Sequence, residues 1–95
     1  IAYRVGWMQG QGLIPNHESS MSKLYGSELG QRVAQFGVNA MDLHGQLIDP
    51  EDPHAPVKAT IQRAYMSSVA GTIAAGTSEI QRGIIAGRGL GLPRY

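Results

Sequence analysis

The sequence predicts an all-α fold, most simply an antiparallel helical bundle. Two observations carry this. From Met21 to Met41 the apolar residues Met21, Leu24, Tyr25, Leu29, Val33, Phe36, Ala40 and Met41 return every three or four positions, the period of an amphipathic helix. Glycine and proline clusters then divide the chain into helix-sized segments, and no segment shows the alternation of a half-buried strand. Short connections between helices favour antiparallel neighbours.

The elements follow in order. Ile1 to Met8 reads as the tail of a helix, with Val5 and either Met8 or Trp7 facing in. No N-cap precedes it and the first residue is not Met, so the chain reads as a piece of a larger protein. Gln9 to Asn16 holds Gly10, Gly12 and Pro15 and is a loop. Asn16 can cap the long second helix, and Glu18 suits its positive N-terminal end. That helix should run to about Leu43. Gly26 and Gly30 lie four apart on one face, with Gly37 nearly in line, so another backbone can approach closely there. Pro50, Pro53 and Pro56 interrupt any regular structure between Gly45 and Pro56. A third helix is predicted from about Val57 to Ala70, with Val57, Ile61, Ala64, Tyr65 and Val69 inward. Gly71 to Gly76 is a small-residue turn. The last helix opens at Thr77 or Ser78, and Ser78 with Gln81 fits a capping box. Ile80, Ile84 and Ile85 give it an apolar face, and Gly87, Gly89, Gly91 and Pro93 end it.

Composition removes several functions. The net charge is +1, and Arg4, Lys23, Arg32, Lys58, Arg63, Arg82, Arg88 and Arg94 are dispersed, so there is no basic patch for nucleic acid. No apolar run approaches the roughly 18 residues of a membrane span. No signal peptide is visible in the sequence as it stands. Without cysteine there is no disulfide, thiol nucleophile or zinc–thiolate site. Glycine, 13 of 95 residues, is about double the roughly 7% average.

The remaining candidates are few. Asp49, Glu51, Asp52 and His54 lack regular ligand spacing and read as a solvated acidic loop rather than a metal site. His17 sits by a helix start and His44 by a helix end, and neither has a Ser or Cys partner arranged for nucleophilic catalysis. Gly87, Gly89 and Gly91 follow no strand and precede no helix, so they are not a dinucleotide fingerprint. Trp7, Tyr25 and Tyr65 read as core. The stretch Ala75-Gly76-Thr77-Ser78-Glu79-Ile80-Gln81-Arg82 is different. It is a glycine turn delivering a helix start, whose free N–H groups and hydroxyls suit an anion such as a pyrophosphate. An ordinary capped helix has the same pattern.

Residues 72–94, TIAAGTSEIQRGIIAGRGLGLPR, closely resemble the C-terminal signature of acyl-CoA dehydrogenases. Residues 20–35, SMSKLYGSELGQRVAQ, resemble the long helix that precedes it in that family. The resemblance covers essentially the whole chain, in order. It implies that residues 1–95 are the C-terminal helical bundle domain of an FAD-dependent enzyme whose N-terminal helical and middle β-domains lie outside this chain. The family reaction is α,β-desaturation of an acyl-CoA thioester. A carboxylate takes the α-proton, the β-hydride goes to the flavin, and an electron-transfer flavoprotein reoxidises it. A homo- or hetero-oligomeric, cytoplasmic bacterial enzyme of fatty-acid or steroid side-chain oxidation is implied, and the chain alone should be inactive.

The same resemblance assigns residues. Thr77, Ser78 and Glu79 match FAD-contacting positions, and Gly76 matches a neighbour of the substrate thioester. A second family motif contacts FAD from the adjoining subunit. Its counterpart here is Asp42-Leu43-His44-Gly45-Gln46, in which only Gly45 is kept. Asp42 puts a carboxylate where a neutral amide is usual, and Gln46 adds bulk. The usual catalytic glutamate position is held by Ala75, so no catalytic residue is expected in this chain. Either the base projects from an earlier helix, as in relatives resembling isovaleryl-CoA dehydrogenase, or the subunit has none, as in heteromeric enzymes.

Overall fold

The computed structural model describes residues 1–93; Arg94, the last residue of the quoted signature, lies outside the described residues. The all-α class holds. Among the described residues there are four α-helices, α1 (Ala2–Gly10), α2 (His17–Ala40), α3 (Thr60–Gly71) and α4 (Ser78–Ile84), with short 3₁₀ turns at Asp42–Gln46 and Pro56–Ala59 and a π-turn at Ile85–Gly89. None is long and apolar enough to cross a membrane.

The chain divides into two compact units, Ser27–Ala74 and the remainder. In the first unit, the C-terminal part of α2 and the whole of α3 are joined through the two 3₁₀ turns. The approach predicted at the glycines is made at Gly37 alone, where an added Cβ would lie 2.7 Å from Ile61 Cγ2. Nothing lies near Gly30. Ala34 and Ala59 are buried. The turn Asp42–Gln46 folds back on the end of α2, which therefore stops at Ala40 rather than Leu43. Gly45 is buried there, and a Cβ would meet Val38 O at 2.6 Å and Met41 Cβ at 3.1 Å. Backbone cannot yield as a flexible side chain can. Gly45→Ala is expected to lower stability by about 1–3 kcal/mol, as overpacking does, measured as the shift in urea midpoint at constant m-value.

Two expectations fail in this unit. α3 begins at Thr60, not Val57, because Val57, Lys58 and Ala59 all take left-handed backbone (φ 51°, 51° and 59°). Val57 is thereby exposed, as are Ala64 and Val69, leaving Ile61 and Tyr65 half-buried on the inner face. The apolar stripe of α2 also turns outward: Leu29, Val33 and Phe36 are exposed, Phe36 to 76%. The packed face carries the short or polar residues Ser27, Gln31, Ala34 and Gly37. Small side chains let an adjoining helix approach, whereas the bulky stripe has no cover among the described residues.

The second unit comprises Ile1–Gly26 and the chain from Ala75 onward. Its buried residues, Glu18, Ser20, Ser78 and Gln81, are all polar. In α1, Val5 and Met8 are half-buried and Trp7 is exposed, as is Tyr25 of α2; Trp7 and Tyr25 are thus not core. Asn16 stands at the N-cap position of α2, its carbonyl accepting from Ser20 N at 3.4 Å. Its Oδ1 accepts from Arg88 Nη1 at 2.9 Å, tying the π-turn to the start of α2. Glu18, at that helix start, lies 3.4 Å from His17 Nε2 and 4.0 Å from Arg4 Nη2. The last helical segment continues past Ile84 as the π-turn and ends at Gly89, among the glycines expected to end it, and Leu92 N closes onto Ala86 O at 3.0 Å.

Candidate functional site

The turn that opens α4 is built from two left-handed residues in succession, Ala75 (φ 56°) and Gly76 (φ 94°). Left-handed backbone is free for glycine but strained for alanine. Thr77 is then extended and forms the N-cap, its Oγ1 accepting from Ile80 N at 3.2 Å. The capping box predicted at Ser78 and Gln81 is therefore not formed. With Thr77 as cap, Ser78 is the first helical residue, and Gln81 is one position too far on to reach back to the cap.

Gln81 has another role. Its side chain is buried and its Nε2 donates to Ala75 O at 2.9 Å. Lys23, from α2, donates from Nζ to the next carbonyl, Gly76 O, at 2.7 Å. Two consecutive peptide groups are thus held by side-chain donors. All peptide bonds here are trans. In a trans peptide the N–H points opposite to the C=O, so the N–H groups of Gly76 and Thr77 are turned away from Gln81 and Lys23. Neither finds an acceptor among the described residues.

The predicted residues Ala75, Gly76, Thr77, Ser78 and Glu79 therefore fall on one ordered turn. Ala75 and Glu79 are exposed, with Glu79 in the first turn of α4. Ser78 is buried, and its Oγ has no hydrogen-bond partner among the described residues. Sequence reasoning missed Lys23, which stands 53 residues from its acceptor and carries no local signal. It named Gln81 for the wrong bond.

Gly45 belongs to the other unit, and the packing of Asp42–Gln46 on α2 accounts for it. Asp42 is exposed and left-handed (φ 56°). Gln46 lines a cleft of about 330 Å³ with Gln35, Val38, Asn39, Gln62 and Tyr65. None of its lining side chains is charged. His44 stacks on His54 with ring centres 6.4 Å apart, and His54 Nδ1 lies 3.4 Å from Asp52 Oδ1. No group of three or more His, Asp or Glu among the described residues is placed to hold a metal ion.

Neither the curated proteins nor the solved structures contain a match to the chain. The family model described as acyl-CoA dehydrogenase, C-terminal domain, matches residues 1–90, which takes in both α2 and the turn opening α4. The chain belongs to the acyl-CoA dehydrogenase C-terminal domain family.

Proposed function

We propose that this chain is the C-terminal domain of an FAD-dependent enzyme that desaturates an acyl-CoA thioester between its α and β carbons. The N-terminal helical and middle β-domains are supplied elsewhere in the intact protein. The observation that carries the reading is the ordered turn at residues 75–79, inside a chain whose family membership spans residues 1–90.

The residues of the turn fit such a cofactor. A dinucleotide presents phosphate, ribityl and ribose oxygens, most of them acceptors. The turn presents donors: the unpartnered N–H groups of Gly76 and Thr77, and the hydroxyl proton of Thr77, whose oxygen is occupied by Ile80 N. The orphaned Ser78 Oγ is a further hydroxyl without a partner among the described residues. An unmet buried hydroxyl is unfavourable, and a small change of rotamer toward a bound acceptor would satisfy it. Glu79 accepts rather than donates, which suits a ribose hydroxyl and not a phosphate. FAD, when bound, supplies the hydride acceptor. Thr77, Ser78 and Glu79 would hold and orient it, and Gly76 would place its backbone beside the thioester. An acyl-CoA substrate, an electron-transfer flavoprotein and an oligomeric assembly, dimer or tetramer, follow from the same reading. So does a cytoplasmic setting.

Thr77→Val tests the assignment while keeping the side-chain shape. It removes the N-cap bond, worth about 1 kcal/mol of stability, and a donor to a charged ligand, worth about 1.5–3 kcal/mol of affinity. The expected result is flavin affinity weakened about tenfold or more. Flavin retention equal to wild type would take Thr77 out of the site.

A second reading has its own support. The methyl group of Ala75 cannot take a proton, and Asp42 sets a negative charge in the second flavin motif. Both fit a non-catalytic subunit that completes the flavin site of a competent partner. Co-purification of a second, different polypeptide with the intact protein favours this reading; a catalytically active homo-oligomer rules it out.

A further inference from the structure

We propose that Lys23 is a positioning residue for the ligand held at the turn 75–77; the inference rests on the flavin reading above. Lys23 is half-buried, and its ammonium group donates to Gly76 O at 2.7 Å in a partly buried bond. Among the described residues no carboxylate forms an ion pair with it. The acidic residues of α2, Glu18 and Glu28, are engaged elsewhere, with His17 and Arg4 and with Arg32. A partly desolvated cation without a counter-ion is unfavourable unless something else repays it.

The geometry shows what the charge does. Lys23 sits on the carbonyl side of the peptide joining Gly76 to Thr77. Withdrawing electron density from that carbonyl polarises the peptide and strengthens its N–H as a donor, since linked hydrogen bonds reinforce one another. The Thr77 N–H faces away from Lys23 and has no acceptor among the described residues. Lys23 thus fixes the direction of that N–H and adds positive potential behind it, both of which favour an anionic oxygen on the open side. A phosphate-bearing dinucleotide supplies such an oxygen. Gln81 performs the directional half of this task on the preceding peptide, through Ala75 O, but it carries no charge. Lys23 need not touch the ligand: it acts through the peptide.

The test uses the intact protein with Lys23→Met, Lys23→Gln and Lys23→Arg. Flavin affinity is read by fluorescence titration with FAD, and backbone order by hydrogen–deuterium exchange over residues 74–82. Losing a charged hydrogen bond of this kind should weaken FAD binding about tenfold or more in Lys23→Met. Lys23→Arg should restore affinity to within about threefold, and Lys23→Gln should fall between. Exchange over 74–82 should be faster in Lys23→Met and near wild type in Lys23→Arg. Wild type that binds FAD together with Lys23→Met that binds it equally well overturns the inference and leaves the flavin reading standing. Equal losses in Lys23→Met and Lys23→Arg overturn it too, because a general packing role does not distinguish charge. Should wild type bind no FAD, the flavin reading fails and the inference that rests on it is overturned as well; exchange over 74–82 in Lys23→Met then reports only whether Lys23 orders the turn.

Discussion

Gly76→Ala is expected to destabilise the intact protein by about 2–4 kcal/mol, combining left-handed strain with a lost buried hydrogen bond. Gly76 has φ 94°, where an L side chain is strained whatever the space. The space is also taken, since an added Cβ would lie 2.7 Å from Gln81 Nε2. The amide of Gln81 is the far end of a flexible side chain and can move. Moving it breaks the 2.9 Å bond to Ala75 O and leaves a buried amide without its acceptor. The second step is the part that a double-mutant cycle isolates. In a Gln81→Ala background the same glycine substitution should cost only the backbone strain, about 1–2 kcal/mol. Equal penalties in the two backgrounds would show that Gln81 does not hold the turn. FAD binding should fall together with stability in Gly76→Ala, because the Gly76 and Thr77 N–H groups are aimed by the same two peptides.

The order of helices and loops was legible in the sequence because it rests on local signals. The periodicity of residues 21–41, the three prolines between 50 and 56 and the glycines around residues 71–76 each act over a few residues. What was not legible depends on contacts or on backbone energies that oppose local preference. Val57 and Lys58 have no reason in their own chemistry to adopt left-handed backbone, yet they do so, and α3 loses its first predicted turn. The inward face of α2 could not be read from hydrophobicity, because a stripe such as Leu29, Val33 and Phe36 marks what a helix can bury. It does not say whether this chain provides the cover. The candidate site divides in the same way. Gly76, Thr77 and Glu79 are visible as a turn and a helix start. Which residue caps the helix turns on a one-residue register, and that register followed from the backbone of Ala75 and Gly76. Lys23 becomes part of the site only through folding. Its alternation with Gln81 on successive carbonyls explains how a strained alanine is held where a glycine would be the easier choice.

Ala75→Glu separates the two readings of catalysis. Ala75 is exposed and already left-handed, so a longer side chain meets no new backbone strain, and stability should change within about 0.5 kcal/mol. Its carbonyl is pinned by Gln81, and the following carbonyl by Lys23, so the direction of its Cβ is fixed. A general base must come within hydrogen-bond reach of the proton it removes, and it contributes typically 10²–10⁴-fold. Glu79 lies four residues on, in the first turn of α4, and is proposed above to accept from the cofactor's ribose. If the intact protein takes its base from an earlier helix, Ala75→Glu places a second carboxylate in the same pocket. Two like charges raise each other's pKa, so activity near neutral pH should drop and the rising limb of the pH profile should move to higher pH. If the protein forms the flavin and acyl-CoA site but has no base, the same substitution should raise dehydrogenation from background by a factor on the order of 10²–10⁴. The assay is reduction of an artificial electron acceptor with a panel of acyl-CoA thioesters across pH. Activity and pH profile identical to wild type would mean that position 75 does not face the substrate, and the assignment of Gly76 beside the thioester would fall with it.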